Sequence, residues 1–461
     1  MNNQSVSQPA YFLSLEVENV RCFGPRQKLD VSDGNGRPAQ WTVILGDNGV
    51  GKTTLLQCLA KMEPTVEKTW FGEIYGPARL PKLYFEAQSM VKYVVPVCRH
   101  NENKMMLSVE NSFGAKLKDD SSGNIARGDL NIEYEEDEVI NFIFDPTPLL
   151  GFGALENLIC YGYGASRRMR ESTPVTEKEE DIGNWDTLFN EDTALGNAEE
   201  WLLKTQLNAK SSTPEVASKF EQQFDEVIKI LKSILPDIQD IRIPQLTSVK
   251  EHARVEFQTP YGWVSVRSLG IGHRTMIAWV VDLARRLFER YPDSPDPLAE
   301  PAVVLVDEID LHLHPKWQRQ IITYLSERFP NTQFIVTAHS PLIVQAAVSV
   351  KANIVVLKRK DDHVVIEQDI EAVRGWRVDQ ILTSDLFELE SARPPDWDQL
   401  FARREVLLSQ PSLSESEVAE LKTIRQKISE LPTGETLQEL EAMDLIRRAA
   451  QELKQRGVQP K

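Results

Sequence analysis

Short apolar runs within residues 11–360 predict the β-strands of this chain. Residues 11–23 alternate apolar and polar positions, and Trp41–Leu45 is almost continuously apolar, as in a parallel strand buried on both faces. Val303–Val306 and Phe334–Val336 are further buried runs, and each is followed by a segment with helical spacing. Strands that alternate with helices in this way predict a doubly wound α/β fold.

Two other patterns interrupt this alternation in the middle of the chain. Between residues 83 and 143, short alternating runs separated by Asn-, Gly- and Asp-rich turns predict an inserted antiparallel β-lobe. Residues 185–235 change to helical spacing, which predicts a short helical lobe, and no heptad pattern there is long enough for an extended coiled coil. The expected core-facing stripe of this lobe consists of Phe220, Phe224, Val227, Ile228 and Leu231.

The C-terminal part of the chain is polar and helical. We separate residues 371–461 from a head formed by residues 1–370, because prolines interrupt the helical pattern at 394–395 and 432. Near the end, one helical stripe carries Leu437, Leu440, Met443 and Ile446. This stripe either packs on the head of its own chain or forms a docking surface for a partner or another subunit.

Composition excludes several classes of protein. The 461 residues are 41% hydrophobic and 26% charged, which is ordinary for a globular protein with more than one domain. No apolar run reaches the about 18 residues of a membrane span, and the polar N-terminus resembles neither a secretion signal nor a transit peptide. The four cysteines are scattered without a C-x-x-C pair, which predicts a reducing, cytoplasmic location.

The charge balance limits contacts with nucleic acid. The formal net charge is −17, from 52 Lys and Arg against 69 Asp and Glu. A surface this acidic does not attract nucleic acid as a whole. Any such contact therefore needs a local basic patch or a partner protein.

A glycine-rich loop follows the strand Trp41–Leu45. Gly46–Thr53, with the sequence GDNGVGKT, matches G-x-x-x-x-G-K-[ST] between a strand and a helix, and we call it the phosphate loop. Its glycines let main-chain N–H groups face a phosphate chain, and the helix N-terminus faces the same anion. Lys52 would contact the β- and γ-phosphates of ATP, and the Thr53 hydroxyl would hold Mg²⁺. The other predicted nucleotide-binding residues of this segment are Asn48, Gly49, Gly51 and Thr54.

Acidic residues and a histidine follow two of the later strands. Asp307 and Glu308 come directly after Val303–Val306, at the carboxyl end of a strand, where ligands bind in such sheets. Asp307 would hold Mg²⁺, and Glu308 would polarise the attacking water. His339 follows the strand Phe334–Val336 and would reach the γ-phosphate. The Asp- and His-rich residues 310–315 suggest a metal site as an alternative, but three ligands with a defined open position are not evident.

Together these motifs resemble the ABC-type ATPase heads of the SMC, RecF and overcoming-lysogenization group. The resemblance covers most of residues 11–360: GDNGVGKTT resembles Walker A, VVLVDEID Walker B, TAHS the switch histidine, and LHLH at 311–314 the D-loop. It implies an α/β, ABC-type (P-loop) ATPase head with the inserted β-lobe and helical lobe described above. It also implies hydrolysis of ATP with Mg²⁺ and head-to-tail pairing with a second copy.

In that group a signature motif caps ATP from the opposite subunit. Residues 269–273, with the sequence LGIGH, lie where L-S-G-G-Q is expected, and we call them the signature segment. The resemblance makes Leu269, Gly270, Gly272 and His273 nucleotide-binding residues, although Gly270 replaces the serine and His273 the glutamine. The helix N-terminus can still bind phosphate through N–H groups. We therefore expect slow hydrolysis, with ATP-dependent pairing retained.

The Q-loop of the group has two candidate positions. Gln88 ends one strand-like segment, and YGYGASRR at 161–168 ends another. The sequence does not choose between them.

More narrowly, the chain resembles the ATPases of Septu anti-phage systems. The features are the short helical lobe, DEIDLHLHPKWQ, and GWRVDQILTSDLFELE at the start of the C-terminal region. This resemblance implies a defence role in which the ATPase gates a separate HNH-type nuclease, assemblies larger than a dimer, and contact with nucleic acid through the complex. We find no convincing nuclease constellation in the chain itself.

Two other functions use the same motifs. An SMC- or RecF-like DNA repair or recombination ATPase would act on DNA ends, but the acidic charge and short helical lobe disfavour it. The energy subunit of a membrane transporter is disfavoured by the altered signature, the β-lobe and the helical C-terminal region. The neighbouring gene would discriminate among the three.

Overall fold

The computed structural model divides the chain into two compact units, Met1–Ile381 and Leu382–Lys461. No helix among the described residues is both long and apolar enough to cross a membrane. For the strands between residues 106 and 141, only the course of the main chain is described. The described residues are 11–18, 20–61, 106–111, 133–135, 138–141, 158–170, 182–235, 237–245, 248, 252–368, 376–384, 386–387, 389, 395–410 and 412–429.

The described strands all belong to the first unit and are numbered in chain order. They are β1 (Phe12–Glu18), β2 (Gln27–Asp30), β3 (Trp41–Gly46), β4 (Met106–Asn111), β5 (Glu133–Glu135), β6 (Glu138–Asn141), β7 (Cys160–Tyr163), β8 (Asp240–Arg242), β9 (Glu256–Thr259), β10 (Gly262–Ser265), β11 (Ala302–Val306), β12 (Thr332–Thr337), β13 (Asn353–Lys360) and β14 (His363–Glu367).

The described α-helices are numbered in the same way. They are α1 (Lys52–Ala60), α2 (Asp186–Phe189), α3 (Ala198–Ser211), α4 (Pro214–Ile234), α5 (Ile271–Arg290), α6 (Pro315–Gln318), α7 (Ile321–Arg328), α8 (Pro341–Ser349), α9 (Val378–Leu382), α10 (Pro395–Ser409) and α11 (Glu415–Ser429).

A six-stranded sheet forms the centre of the first unit, in the order β14-β13-β3-β12-β11-β7. All neighbouring pairs are parallel except β13 and β14, which are antiparallel. The segments after β3, β11, β12 and β7 therefore leave the sheet at the same edge, which is where the phosphate loop, the acidic pair and His339 lie. The expected α/β fold with a parallel sheet is confirmed.

Burial on both faces explains the apolar composition of the central strands. Every residue of β11 and β12 is buried, as is every residue of β3 except the last. Trp41 stacks on Phe334, with ring centroids 4.3 Å apart. Helix α1 adds Leu55 and Leu59 to this core, and each fully buried leucine contributes about 1.5–3 kcal/mol.

In the part of the chain that the structure describes, three smaller antiparallel sheets accompany the central one. They have the orders β2-β1-β4, β10-β9-β8 and β5-β6. Of the β-lobe expected over 83–143, only β4, β5 and β6 lie within the described residues, and β4 pairs with β1.

The helical lobe contains the hairpin α3–α4. The Asn197 side chain caps α3 by accepting a hydrogen bond from Glu200 N (3.1 Å), and Pro214 begins α4 in a position where its missing N–H costs nothing. The buried stripe of α4 lies further toward its C-terminus than the sequence pattern indicated. It consists of Val227, Ile230, Leu231 and Ile234, while Phe220, Phe224 and Ile228 are half-buried.

The segment of helical spacing that follows Val303–Val306 is divided into α6 and α7. Gln318 ends α6, and its side-chain amide donates to the carbonyls of Asp310 (3.2 Å) and Leu313 (3.1 Å). These bonds tie the first helical turn to the loop that precedes it, so the chain turns before α7 begins.

The described helices of the second unit form a small core of their own. Leu407 of α10 packs with Leu421, Ile424 and Ile428 of α11. The expected stripe at 437–446 lies outside the described residues.

Candidate functional site

The phosphate loop turns through three glycines with positive φ. Gly46, Gly49 and Gly51 have φ angles of 145°, 79° and 88°. At Gly51 a Cβ atom would also lie 2.5 Å from Cys22 Sγ, so both conformation and space require glycine. The tip of the loop, including Asn48 and Gly49, is exposed. The loop therefore has the shape that presents main-chain N–H groups to an anion.

Lys52 is folded back over this loop. Its Nζ donates to the carbonyls of Gly46 and Asp47, both at 2.8 Å, and the residue is buried. Burial lowers the pKa of Lys52, and the carboxylates of Asp307 and Glu308 oppose that shift. A phosphate group is a stronger acceptor for an ammonium than two carbonyls, so the loop can exchange these bonds for an anion.

Hydrogen bonds join the phosphate loop to the acidic pair. Thr53 Oγ1 donates to Asp307 Oδ2 at 2.7 Å, and Thr337 Oγ1 donates to Asp307 Oδ1 at 2.6 Å. A hydroxyl and a carboxylate are ligands that Mg²⁺ prefers, and Mg²⁺ usually takes its remaining ligands from water and phosphate. The donor set therefore fits a magnesium nucleotide. Thr54, the next residue, accepts a hydrogen bond from Arg21 Nη1 (3.2 Å).

Glu308 adopts a left-handed backbone conformation with φ 49°. Such a conformation costs a residue other than glycine about 1–3 kcal/mol, so its surroundings must hold it. Glu308 N donates to Thr337 Oγ1 at 2.6 Å. The side chain is half-buried, and its Oε1 lies 4.0 Å from His339 Nε2. The sheet thus brings Glu308 and His339 together at one edge.

Arg167 completes this cluster; it lies in the segment 161–168 that the sequence offered as one Q-loop position, but no role had been assigned to the arginine itself. It follows β7 and is fully buried, and its Nη1 donates to the carbonyl oxygens of Gly164 (3.2 Å) and Asp307, while Nη2 donates to that of Glu308 (2.8 Å). Burial lowers the pKa of Arg167 to about 10, and the carboxylates of Asp307, Glu308 and Asp310 oppose the shift. The guanidinium therefore stays charged at neutral pH.

The segment after Glu308 is bonded to the segment after β12. Asp310 Oδ2 accepts a hydrogen bond from His339 N (3.1 Å), and Ser340 Oγ donates to Gln318 Oε1 (2.7 Å). His314 caps α6 by accepting from Lys316 N at 3.2 Å. Within the described residues, no group of three His, Cys, Asp or Glu side chains is placed to hold a metal ion.

The signature segment leads into α5, and two of its residues approach the loop before α6 and α6 itself. Leu269 is buried, and Gly270, the N-cap residue of α5, is exposed. A Cβ at Gly272 would lie 2.3 Å from the carbonyl oxygen of His312, so this approach requires glycine. The half-buried His273 ring packs edge-on against Trp317 at 4.4 Å, and burial lowers its pKa. The structure does not bring this segment together with the phosphate loop of the same chain.

The fold and this arrangement define the class: the chain resembles P-loop ATPases of the SMC and ABC type. Two family models match parts of it. Residues 187–345 match a model described as "AAA domain, putative AbiEii toxin, Type IV TA system", and residues 14–61 match one described as "AAA domain". The second match includes the phosphate loop, and the first includes the acidic pair and His339.

Among individual proteins, the chain is similar to Septu protein PtuA of Bacillus mycoides (strain KBAB4). The two are 26% identical over 426 residues, which cover 92% of this chain and 51% of PtuA, so this chain spans about half the length of that relative. It is also 24% identical to the Retron Vc95 probable ATPase of Vibrio cholerae serotype O1 biovar El Tor, with 68% of each chain covered. The resemblance to Septu ATPases is thus confirmed.

Among solved structures, the SMC head domain from Thermotoga maritima aligns with 78% of this chain and 99% of its own, with a TM-score of 0.35 and 15% identity.

Proposed function

We propose that this chain binds ATP with Mg²⁺ and hydrolyses it. The observation that carries the proposal is the 2.7 Å hydrogen bond between Thr53 and Asp307, which unites the phosphate loop and the acidic pair at one point. In the proposed complex, Lys52 leaves its two carbonyl partners for the β- and γ-phosphates. Main-chain N–H groups of the loop, from Asn48 to Thr54, hold the remaining phosphate oxygens.

The hydrolytic step is assigned to Glu308 and His339. Bound magnesium ATP supplies the electrophilic phosphorus and the leaving group. Glu308 orients the attacking water and accepts its proton, and His339, 4.0 Å away, donates a hydrogen bond toward the γ-phosphate position. Thr53 and Asp307 would hold the Mg²⁺, directly or through water.

A second copy of the chain completes the proposed site. Leu269, Gly270, Gly272 and His273 would cap the nucleotide bound to the facing subunit. Because Gly270 offers no hydroxyl and His273 is packed on Trp317, we propose slow turnover and a head-to-tail dimer or larger assembly. The exposed N-terminus of α5 at Gly270 supports this assignment, since it is free to meet an anion.

We further propose that the ATPase belongs to an anti-phage defence complex and gates a separate HNH-type nuclease. The similarity to a Septu protein and to a retron ATPase supports the defence role. The C-terminal region, residues 371–461, is proposed as the docking region for that partner.

Two substitutions and a control test the ATPase function. Lys52→Ala should abolish binding of a fluorescent ATP analogue, and Glu308→Gln should retain binding but hydrolyse ATP far more slowly than the wild type. Lys61→Ala, just past the other end of α1, should leave both unchanged. Wild-type affinity in Lys52→Ala, or the wild-type rate in Glu308→Gln, would contradict the assigned roles.

The partner is tested with the full chain. Co-expression with an HNH-type nuclease encoded next to it should yield a complex of defined mass by light scattering. Independent elution of the two proteins would argue against the gating proposal and leave the ATPase proposal intact.

A further inference from the structure

Arg167 is a buried cation whose described hydrogen bonds all end on main-chain carbonyls. Only 1% of its surface is exposed, and its side chain contacts the main chain of the acidic pair. Its planar fork spans two consecutive carbonyls, those of Asp307 and Glu308, and also reaches Gly164 at the end of β7. Burying a charged side chain costs free energy, so a buried arginine at this position points to a specific role in the site.

The two peptide units that flank Glu308 are fully hydrogen-bonded. Arg167 donates to the oxygen of the first unit, and Glu308 N in the same unit donates to Thr337 Oγ1 at 2.6 Å. In the second unit, the Glu308 oxygen accepts hydrogen bonds from Arg167 Nη2 at 2.8 Å and from Leu311 N at 2.9 Å, and Ile309 N donates to the Thr337 carbonyl at 3.0 Å. Each unit is therefore held from both sides, by Arg167 in the segment after β7 and by Thr337 at the end of β12.

Fixing both peptide planes fixes φ and ψ of the residue between them. For Glu308 the fixed φ is 49°, a conformation that a glutamate does not adopt without support. This backbone sets the direction of its Cα–Cβ bond, which places the carboxylate beside His339.

We propose that Arg167 is a positioning residue for Glu308: it holds the Glu308 main chain in the left-handed conformation and so aims the carboxylate at the attacking water. This rests on the ATPase function proposed above. The role needs arginine specifically, because a lysine ammonium lacks the planar pair of N–H groups that binds two carbonyls at once.

The test compares Arg167→Lys with Arg168→Lys. Arg168 is the adjacent residue, its side chain is 62% exposed, and it bonds to the carbonyl of Glu191 on the surface (3.0 Å). In Arg167→Lys, kcat should fall by roughly 10–100-fold, since misplaced groups cost about this much, while ATP affinity and KM stay within about threefold. Arg168→Lys should match the wild type in all three.

A double substitution distinguishes positioning from a general structural role. If Arg167 acts through Glu308, Arg167→Lys combined with Glu308→Gln should hydrolyse ATP no more slowly than Glu308→Gln alone. Multiplied losses in the double variant, or a raised KM with unchanged kcat in Arg167→Lys, would overturn the proposal. Should Arg167→Lys fail to fold, Arg167→Gln takes its place in the same scheme.

A readout without ATP separates this proposal from the proposed function. In a crystal structure of nucleotide-free Arg167→Lys, Glu308 should leave the left-handed region, and an unchanged φ would refute the positioning role. If the wild-type protein hydrolyses no ATP, the proposed function fails, and this structure still decides what Arg167 does to Glu308.

Discussion

Replacing Thr337 and Thr42 by valine makes the same chemical change at two fully buried positions of neighbouring strands and should give opposite results. Thr337 Oγ1 accepts a hydrogen bond from Glu308 N and donates one to Asp307 Oδ1, both at 2.6 Å. Thr42 Oγ1 is also buried, but it has no hydrogen-bond partner among the described residues. Valine has nearly the shape of threonine, so packing changes little at either position.

The expected changes in the free energy of unfolding follow from the polar groups that each substitution leaves unpaired or removes. Thr337→Val leaves one buried N–H and one carboxylate oxygen without a partner, at about 1–3 kcal/mol each, so the free energy of unfolding should fall by about 2–6 kcal/mol. Thr42→Val removes a hydroxyl whose burial costs about 1–3 kcal/mol, so that variant should gain stability by a similar amount. Thr337→Ser retains the hydroxyl and should lie close to the wild type.

Urea unfolding followed by circular dichroism measures both variants against the wild type. The transition that contains the central sheet should move to lower urea for Thr337→Val and to higher urea for Thr42→Val. If both variants shift it in the same direction by similar amounts, the hydrogen bonds of Thr337 do not stabilise the acidic pair, and the reasoning is wrong.

Three further predictions concern α5. Gly272→Ala places a methyl group 2.3 Å from the His312 carbonyl oxygen, so scanning calorimetry should show a loss of about 1–3 kcal/mol. Burial lowers the pKa of His273 below its ordinary 6.5, so the unfolded chain binds the proton more readily and stability is lost as pH falls through 6.5 toward the folded pKa. His273→Asn should reduce this loss in urea titrations between about pH 7 and 5. Arg286→Leu breaks the buried 2.7 Å pair with Asp282, which keeps its hydrogen bonds from Arg285 and Tyr163 at 3.0 Å, so urea unfolding should report a loss of about 1.5–3 kcal/mol.

The central sheet could be predicted because its strands are buried on both faces and therefore leave continuous apolar runs in the sequence. The phosphate loop and Asp307 follow such a run directly, and His339 follows one within three residues. Parallel pairing alone then places them at one edge of the sheet, so this arrangement can be predicted without reference to the intervening lobes.

Arg167 could not be predicted in the same way. The sequence offers two adjacent arginines after β7, and no periodic pattern says which one faces inward. In the structure, Arg167 has a φ of 35°, outside the strand conformation, and this local turn puts its side chain beneath the acidic pair while Arg168 remains exposed. The stripe of α4 differed for a related reason: tertiary contacts decide which part of the helix is buried, and they lie near its C-terminus.

The order of strands in the central sheet has a consequence for synthesis on the ribosome. β3 lies between β12 and β13, so both of its neighbours are translated long after it. About 290 residues separate the end of β3 from the end of β12, and at about 5–20 residues per second they take roughly 15–60 s to appear. Throughout that interval the nascent chain carries a six-residue apolar segment, WTVILG, with which neither of its eventual neighbouring strands can yet pair. A chaperone that binds this segment until β12 emerges would raise the yield of folded protein without changing the folded structure.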